Sequence, residues 1–459
     1  MLQMIGKAGG SLRRKPTISF DLRRMSNDST PRSSSGPNEK KEKVIVIAGP
    51  TGAGKSRLAL ELAKKLNGEV ISADSVQVYR GLDVGSSKPS IAEQKEVPHH
   101  LIDILIPSDE YSAGQFFKDA RNATQEVISK GKVPIVAGGT GLYLRWYIYG
   151  KPDVPKPSFE ITSEVCSELL HLQEKCKWDE AVELVVNSGD SKALSLSLND
   201  WYRLRRSLEI IRTSGSPPSA FAVPYDSFKQ QEAVKDLDFD FLCFFFTSPR
   251  VDLYRAIDLR CERMLMETEG LLREASWLLD IGLQPNVNSV TRAIGYRQAM
   301  EYLLECRKNG GKSMAKCFLA FLYDFQKASR NFAKRQTTWF RNELIYQWID
   351  ASRPMDIIVD FVYRAYNNGN EQLMVPTHLQ IKKDVYDRKE SIELKSYRTK
   401  NRFFRNEADC QHILQWIWRT QQRLGCRFYS TTLVTSTKVF TVPYAGMESL
   451  HSGIPNGQS

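Results

Sequence analysis

The sequence predicts an α/β protein: a P-loop core with a doubly wound parallel sheet, a helical insertion and a C-terminal extension. Short apolar runs alternate with helical patterns from Val44 to Pro155, as they do in β-α-β units. A glycine-rich turn, Gly49–Ser56, separates the first apolar run from the first amphipathic segment. After a long helical stretch, the run Phe241–Phe246 is too apolar for an edge strand. It predicts another central strand of the same sheet, so the helical stretch is an insertion within the α/β domain.

The period of the apolar residues predicts the individual elements in chain order. Strands are predicted at 44–48, 69–72, 101–104, 133–137 and 241–246, with a helix at 112–129 and longer helices around 251–280, 295–304 and 314–345. The predicted domain limits are 1–43 for a disordered tail or presequence, 44–157 and 239–350 for the two parts of the P-loop core, 158–238 for the helical insertion, and 351–459 for the C-terminal extension.

The turn reads Gly-Pro-Thr-Gly-Ala-Gly-Lys-Ser and has the strand–turn–helix context of a P-loop. Its glycines let backbone N–H groups point at a diphosphate or triphosphate, and the helix N-terminus adds partial positive charge. Lys55 can reach the outer phosphate, and the Ser56 hydroxyl can hold Mg²⁺. The alternative is a tight glycine turn that binds nothing. The predicted diphosphate-binding residues are Gly49, Pro50, Thr51, Gly52, Ala53, Gly54, Lys55 and Ser56.

Bulk composition narrows the class of protein. The 459 residues include 64 Lys and Arg against 53 Asp and Glu, a net charge of +11, which suits a polyanionic partner such as nucleic acid. No apolar run approaches the roughly 20 residues that span a bilayer, so no membrane association is expected. The 8 cysteines include no CxxC pair, which favours a reduced, intracellular chain. Cys410, His412 and Cys426 suggest a zinc site, but they lack the close cysteine pair of a zinc finger.

Residues 1–43 are basic, rich in Ser and free of acidic residues before Asp21, as organellar presequences are. A presequence would direct the chain to a plastid or mitochondrion. A plain flexible tail would leave it in the cytoplasm. A monomer is expected.

Two further polar positions follow predicted strands, at the sheet edge where ligands bind in open α/β folds. Asp74 follows the second strand and is either a functional carboxylate or a helix N-cap. Asp103 competes with it as a magnesium-bound carboxylate. The Gly-Gly-Thr-Gly turn at 138–141 places the hydroxyl of Thr140 at the same edge.

Five separated motifs resemble the tRNA dimethylallyltransferase (isopentenyltransferase) family. They are Asp74–Gly85, Pro98–Asp103, Gly138–Tyr143, Arg292–Gln298 and Ala328–Trp339, within a match from about Val44 to Arg341. The core is similar to bacterial members, on a longer, eukaryote-style chain for which a plant source is expected. Ser86-Ser87 replace the Thr-Ala common in bacterial members, and the zinc finger of cytosolic eukaryotic relatives is absent.

The resemblance implies transfer of a dimethylallyl group from dimethylallyl diphosphate to N6 of the adenosine next to the tRNA anticodon, with release of diphosphate. It assigns the proton-accepting role to Asp74. It assigns stabilisation of the leaving diphosphate to Lys55, Thr140 and Arg260, with Ser56 and Mg²⁺. The local sequence of Arg260 alone favours a surface salt bridge to Asp258 or Glu262.

The resemblance and the basic helical patterns also imply contacts with tRNA. For the basic side chains, the alternative is a solvated helix face. The predicted tRNA-binding residues are Asp74, Ser75, Gln77, Tyr202, Arg203, Arg205, Arg206, Arg292, Tyr296, Arg297, Lys334 and Arg335.

Three other functions remain open at this point. An adenylate isopentenyltransferase of cytokinin biosynthesis performs the same chemistry on a free adenine nucleotide. A P-loop kinase of small molecules would turn over ATP. A non-catalytic RNA-binding protein would need only the basic surface. The helical insertion and the Arg- and Lys-rich late helix favour tRNA as the acceptor.

Overall fold

The structure, a computed structural model, describes residues 41–196, 198–224, 237–266, 270–368, 374–382 and 388–422. In this part of the chain six parallel strands form one sheet in the order β3-β2-β4-β1-β5-β6. The strands are β1 (Lys43–Ala48), β2 (Gly68–Ala73), β3 (His99–His100), β4 (Val133–Gly138), β5 (Asp240–Thr247) and β6 (Gln347–Asp350). The predicted α/β fold class with a parallel sheet is confirmed.

The helices surround this sheet and continue beyond it. Those of the core and insertion are α1 (Lys55–Leu66), α2 (Ile91–Glu96), α3 (Ala113–Ser129), α4 (Gly141–Tyr149), α5 (Phe159–Glu174), α6 (Trp178–Asn187) and α7 (Trp201–Ser214). The later ones are α8 (Arg250–Met266), α9 (Leu271–Asp280), α10 (Ser289–Arg292), α11 (Tyr296–Lys308), α12 (Ala315–Arg341), α13 (Met355–Asn367), α14 (Arg388–Ser396) and α15 (Gln411–Gln421).

The central strand β1 is buried on both faces, which is why it reads as an unbroken apolar run. Successive side chains of a strand point to opposite faces. Ile45 and Ile47 accordingly pack with α1 and α13, whereas Val44 and Val46 pack with α4, α8 and α12. Two helical layers therefore cover the sheet, and the loops at the carboxyl ends of its strands lie between them.

Strand β5 pairs with β1 on one side and with β6 on the other, so the apolar run at 241–246 is a central strand. Helices α5, α6 and α7 lie in the chain between β4 and β5. They share a core of their own, formed by Val165, Leu169, Trp178, Ala181, Val185, Leu204 and Leu208. This arrangement fits an insertion, and the domain limits themselves stay predictions.

Two of the predicted elements are wrong in extent. The strand predicted at 101–104 lies instead at His99–His100. It ends there because Leu101 and Asp103 have φ values of 62° and 56°, in the left-handed region. The helix predicted over 251–280 is two helices: α8 ends at Met266, and α9 begins at Leu271. The helical period continues from one to the other, so it does not reveal the break.

The described part of the C-terminal extension is packed onto the core. Helix α13 packs on α1, and α15 packs on α11. Between them, residues 397–404 run along α8, where the Glu262 carboxylate accepts the backbone N–H groups of Arg402, Phe403 and Phe404 at 2.9–3.2 Å. Residues 1–40 of the segment predicted as a tail or presequence lie outside the described residues, and so does Cys426. Within the described residues, no helix is long and apolar enough to cross a membrane.

We expect Glu262→Ala to destabilise the protein by at least about 2 kcal/mol. Glu262 is 1% exposed, and its removal leaves buried N–H groups without an acceptor, at about 1–3 kcal/mol each. Urea denaturation measures the effect. The control is Glu305→Ala on the exposed face of α11, for which a change within about 0.5 kcal/mol is expected. Equal midpoints for the two variants would contradict this role for Glu262.

Candidate active site

The phosphate cradle begins where β1 ends, at Ala48, and finishes at Lys55, the first residue of α1. Gly52 and Gly54 have φ values of 80° and 89°, which residues with a side chain rarely adopt. A Cβ atom on Gly49 would lie 2.2 Å from the carbonyl oxygen of Phe246 on β5. These positions therefore require glycine, and the loop presents backbone rather than side chains to a ligand.

The Lys55 ammonium lies within this loop, where its Nζ donates to the carbonyl oxygen of Pro50 at 2.9 Å. Burial, followed by the positive charge of Arg260, lowers the pKa of Lys55 to about 8. The site therefore holds two cations close enough to repel each other. A diphosphate would relieve that repulsion.

Arg260 reaches the cradle from α8. Its guanidinium donates to the hydroxyl of Thr51 and, at 2.7 and 3.1 Å, to the hydroxyl of Ser87. Burial lowers the pKa of this guanidinium. The sequence alternative, a surface salt bridge to Asp258 or Glu262, is wrong for this structure.

The two carboxylates named in that alternative have other partners. Asp258 pairs with Arg330 and accepts the Tyr397 hydroxyl at 2.8 Å. Glu262 accepts the backbone N–H groups of residues 402–404. Residues 258 and 262 flank 260 by two positions, so they lie on the opposite side of the helix, away from the cradle.

Asp74 follows the end of β2 at the same edge of the sheet. Its Oδ1 accepts the backbone N–H of Val76 at 2.8 Å in a turn, and no helix begins there, so the N-cap interpretation is wrong. The negative charge of Asp74 raises the pKa of both Lys55 and Arg260, in opposition to burial. The carboxylate therefore shares one crevice with the two cations.

Asp103, the competing carboxylate, has a cation of its own. It pairs with Lys88 at 2.5 Å, and the Lys88 side chain is only 3% exposed and also binds Asp83 at 2.7 Å. This pairing assigns Asp103 to the structure of the loop.

Gln336 of α12 joins the two halves of the site, a contact that the sequence reasoning missed. Its Oε1 accepts the N–H of Thr51, and its Nε2 donates to the carbonyl oxygen of Gly139, both at 2.9 Å. Gln336 is 7% exposed and lies on the apolar face of α12. An amide side chain at a position of the apolar face of a predicted helix is the one sequence signal that could have revealed this contact.

Two hydroxyl groups at the site have no internal partner in the described structure. Thr140 precedes α4 and makes no capping hydrogen bond. Ser56 is exposed in the first turn of α1. Both hydroxyl groups are therefore free to bind an incoming group.

The loop at 83–87, which carries Ser87, is held in place by hydrogen bonds to two side chains. Glu274 accepts the N–H groups of Asp83, Val84 and Gly85 at 2.6–2.9 Å, and it accepts the Tyr296 hydroxyl at 2.7 Å. Gln77 Nε2 donates to the carbonyl oxygens of residues 86 and 87 at 3.2 and 3.1 Å.

Two of the predicted tRNA-binding residues have buried side chains. Tyr296 is 0% exposed, and Gln77 is buried with its amide already hydrogen-bonded. Neither side chain is available to RNA in this structure. Both of them instead position the loop that presents Ser87 to Arg260.

The cations of the insertion are not equivalent. Arg203 on α7 has a side chain 67% exposed, with Asp200 at 3.3 Å. Arg205 and Arg206 both pair with the buried Glu209, at 3.5 and 3.1 Å. Tyr202 is exposed and stacks on Arg205, 5.8 Å from guanidinium to ring centre. Arg203 and Tyr202 are thus the most available members of this group.

The remaining predicted RNA contacts are spread over other elements. Lys334, Arg335 and Arg292 are exposed, although Arg292 donates to the carbonyl oxygens of residues 286 and 287. Arg297 and Ser75 are half-buried, and the Nε of Arg297 has no hydrogen-bond partner among the described residues. Contact of these five residues with tRNA stays a prediction.

The described part of the chain contains no cluster of three or more His, Cys, Asp or Glu that could hold a metal ion. Cys410 is buried and its thiol donates to the carbonyl oxygen of Asn406 at 3.5 Å. His412 stacks on Phe404. The two residues therefore have structural partners.

A glycine-rich loop, two partly buried cations and a carboxylate lie at one sheet edge, an arrangement suited to an anionic ligand. A sequence model of the IPP transferase family matches residues 77–343. The chain is 60% identical over 399 residues to tRNA dimethylallyltransferase 9 of Arabidopsis thaliana. The match covers 82% of this chain and 86% of that protein. It is 36% identical over 329 residues to the tRNA dimethylallyltransferase of Protochlamydia amoebophila, covering 72% and 90%.

Among solved structures, a eukaryotic dimethylallyltransferase acting on tRNA superposes with a TM-score of 0.57 at 27% identity, covering 73% of this chain and 83% of that one. The chain therefore belongs to the tRNA dimethylallyltransferase family, as its motifs suggested.

We expect Gln336→Leu to lower the free energy of unfolding by about 1–3 kcal/mol, because it leaves the N–H of Thr51 and the carbonyl of Gly139 without their partner. Binding of inorganic pyrophosphate, measured by calorimetry, should weaken as well. Thr338→Ala, at an exposed position of the same helix, is the control. Wild-type pyrophosphate affinity in Gln336→Leu would exclude a role in shaping the cradle.

Proposed function

We propose that this protein transfers a dimethylallyl group from dimethylallyl diphosphate to N6 of the adenosine next to the anticodon of tRNA. Membership of the family and the names of the relatives support tRNA as the acceptor. The observation that carries the chemistry is that Asp74 follows the end of β2, at the sheet edge where Lys55 begins α1, and that its negative charge raises the pKa of both Lys55 and Arg260. A proton acceptor and a shell for a leaving diphosphate thus share one crevice.

The diphosphate is the leaving group, so the cradle stabilises charge that develops as the bond to carbon breaks. The backbone N–H groups of Gly52 and Gly54 and the N-terminus of α1 supply fixed dipoles. Lys55 and Arg260 supply the positive charge, and Thr140 supplies a hydroxyl. Because burial disfavours the charged forms of both side chains, a bound diphosphate stabilises those charges more here than it would in water.

The residues present fit a magnesium ion. Ser56 offers an exposed hydroxyl in the first turn of α1, next to the cradle, and a hydroxyl oxygen there is a ligand that Mg²⁺ accepts beside a diphosphate. When bound, Mg²⁺ would neutralise part of the diphosphate charge.

In the transfer step, the adenine N6 nitrogen forms a bond to C1 of the dimethylallyl group as the bond between C1 and the diphosphate oxygen breaks. The bonding pair leaves with the diphosphate. N6 then carries an excess proton, which passes to Asp74. The hydrogen bond from Val76 N–H holds one carboxylate oxygen in place and leaves the other to accept this proton.

A set of separate incubations tests the function against its rivals. Labelled dimethylallyl diphosphate is supplied with bulk tRNA or with AMP, and ATP is supplied on its own. We expect label to enter tRNA and neither AMP nor ATP to be consumed. Transfer to AMP alone would indicate an adenylate isopentenyltransferase. ATP turnover without prenyl transfer would indicate a kinase, and tRNA binding without any turnover a binding protein.

Asp74→Asn should lower the rate of transfer about 10²–10⁴-fold, because it removes the proton acceptor and keeps the size of the side chain. Affinity for dimethylallyl diphosphate should stay within about threefold of wild type. Single-turnover kinetics measure the first quantity and equilibrium binding the second. A variant that transfers at a rate within about threefold of wild type would show that Asp74 only closes the turn to Val76.

Affinity for dimethylallyl diphosphate should fall as pH rises above about 8. The pKa of Lys55 is lowered to about 8, so its ammonium is charged below this pH and lost above it. The diphosphate binds the charged form, and the loss is therefore on the alkaline side. Lys55→Arg keeps its charge and should remove the inflection. An unchanged inflection in that variant would assign it to another group.

The cofactor, the monomeric state and the compartment remain part of the proposal. The segment that would decide on a plastid or mitochondrial address lies outside the described residues. A place in cytokinin biosynthesis is also part of the proposal, because the proposed reaction produces a prenylated adenosine.

A further inference from the structure

Residues 397–405 alternate between two kinds of side chain. Tyr397, Thr399 and Asn401 are half-buried, whereas Arg398 and Lys400 are exposed. Beyond Asn401 the strict alternation ends, because Arg402 and Phe403 are both exposed, but Arg405 is again exposed after the buried Phe404. We call residues 397–405 the basic strap. One of its faces is therefore bound to the protein and the other carries positive charge.

The inner face of the strap is bound at several points to α8 and α12. The Tyr397 hydroxyl donates to Asp258 at 2.8 Å, and the Thr399 hydroxyl accepts from Arg330 at 2.9 Å. Gln326 donates to Asn401 at 2.9 Å. Together with the three backbone N–H groups on Glu262, these bonds add to the partners of two buried carboxylates, of which Asp258 also pairs with Arg330.

The outer face has little opposing charge. Lys400 and Arg402 form no ion pair with any described residue, and Arg398 donates to the backbone carbonyl of Tyr397 at 3.1 Å. Arg405 has a carboxylate near it, Asp409 at 3.8 Å. Because the backbone is held by Glu262 and the inner side chains, these cations are displayed on a fixed support. Their binding would cost less ordering entropy than that of a free basic tail.

We propose that the basic strap binds the phosphate backbone of the tRNA substrate. The proposal rests on the proposed function, and it adds a surface beyond residues 77–343, where the family model ends. Phosphates are the partner that a fixed row of Lys and Arg fits best, since counterion release favours their binding. The strap is attached to the helices that carry Arg260 and Gln336, so tRNA bound on it is on the same rigid support as the site.

The test is a charge-only variant, Lys400→Gln with Arg402→Gln. Both side chains are exposed, so the fold should be retained, which a thermal melt verifies. Affinity for full-length tRNA is measured from about 50 to 300 mM salt. The magnitude of the slope of log affinity against log salt should decrease by about one for each lost contact. At the higher salt the apparent KM for tRNA should rise at least about threefold, with kcat and the KM for dimethylallyl diphosphate unchanged.

The matched control is Lys95→Gln with Arg364→Gln, which removes the same charge from exposed positions on α2 and α13. Its salt slope should equal that of wild type. A slope that both double variants lower equally would show a general effect of net charge and would overturn the proposal.

A third variant separates charge from its support. Tyr397→Phe with Thr399→Val leaves all the basic side chains in place and loosens the inner face. It should weaken tRNA binding without changing the salt slope. Wild-type affinity in this variant would show that the fixed support contributes nothing.

Failure of the strap and failure of the proposed function give different results. If wild-type protein does not transfer the prenyl group to tRNA, the proposed function is wrong. If wild-type protein transfers to tRNA while Lys400→Gln with Arg402→Gln has the wild-type slope and KM, only the strap proposal is wrong.

Discussion

The structure depends on holding two cations, Lys55 and Arg260, in one partly buried crevice. Burial and repulsion by Arg260 lower the pKa of Lys55, and burial lowers that of Arg260. The charged forms of both side chains are therefore destabilised in the absence of a ligand. Asp74 offsets part of this cost. The remainder favours binding of an anion, which in the proposed function is the leaving diphosphate. Catalysis and ligand affinity thus have the same electrostatic source.

The scaffold meets this constraint with contacts from distant parts of the chain. Gln336 ties the cradle to the Gly139 turn, and Glu274 holds the loop that brings Ser87 to Arg260. Behind Arg260, the carboxylates of Asp258 and Glu262 are satisfied by the C-terminal extension. An extension beyond the family match therefore supports a helix of the site. Its inner face stabilises α8 and its outer face is free to carry charge.

The positive surface is correspondingly divided. On α7, Arg205 and Arg206 are committed to the buried Glu209, which leaves Arg203 as the more available cation. On the basic strap, Lys400 and Arg402 have no such commitment among the described residues. A count of basic residues thus says little about where a polyanion binds. What decides it is how much of each charge is already neutralised by a neighbouring carboxylate.

The sequence by itself determined the parallel α/β core and the glycine-rich turn at 49–56, because strand and helix periods and glycine turns are local patterns. The roles of Asp74, Lys55 and Arg260 stay predictions that rest on the family resemblance. The sequence misplaced the strand at 101–104, where left-handed residues interrupt an apolar run. Only the tertiary structure decided that Tyr296 and Gln77 are buried, that Gln336 bridges the site, and that Glu262 holds the strap. Gln336 and Thr51 are 285 residues apart in the chain, and no local pattern encodes a contact between side chains at that separation.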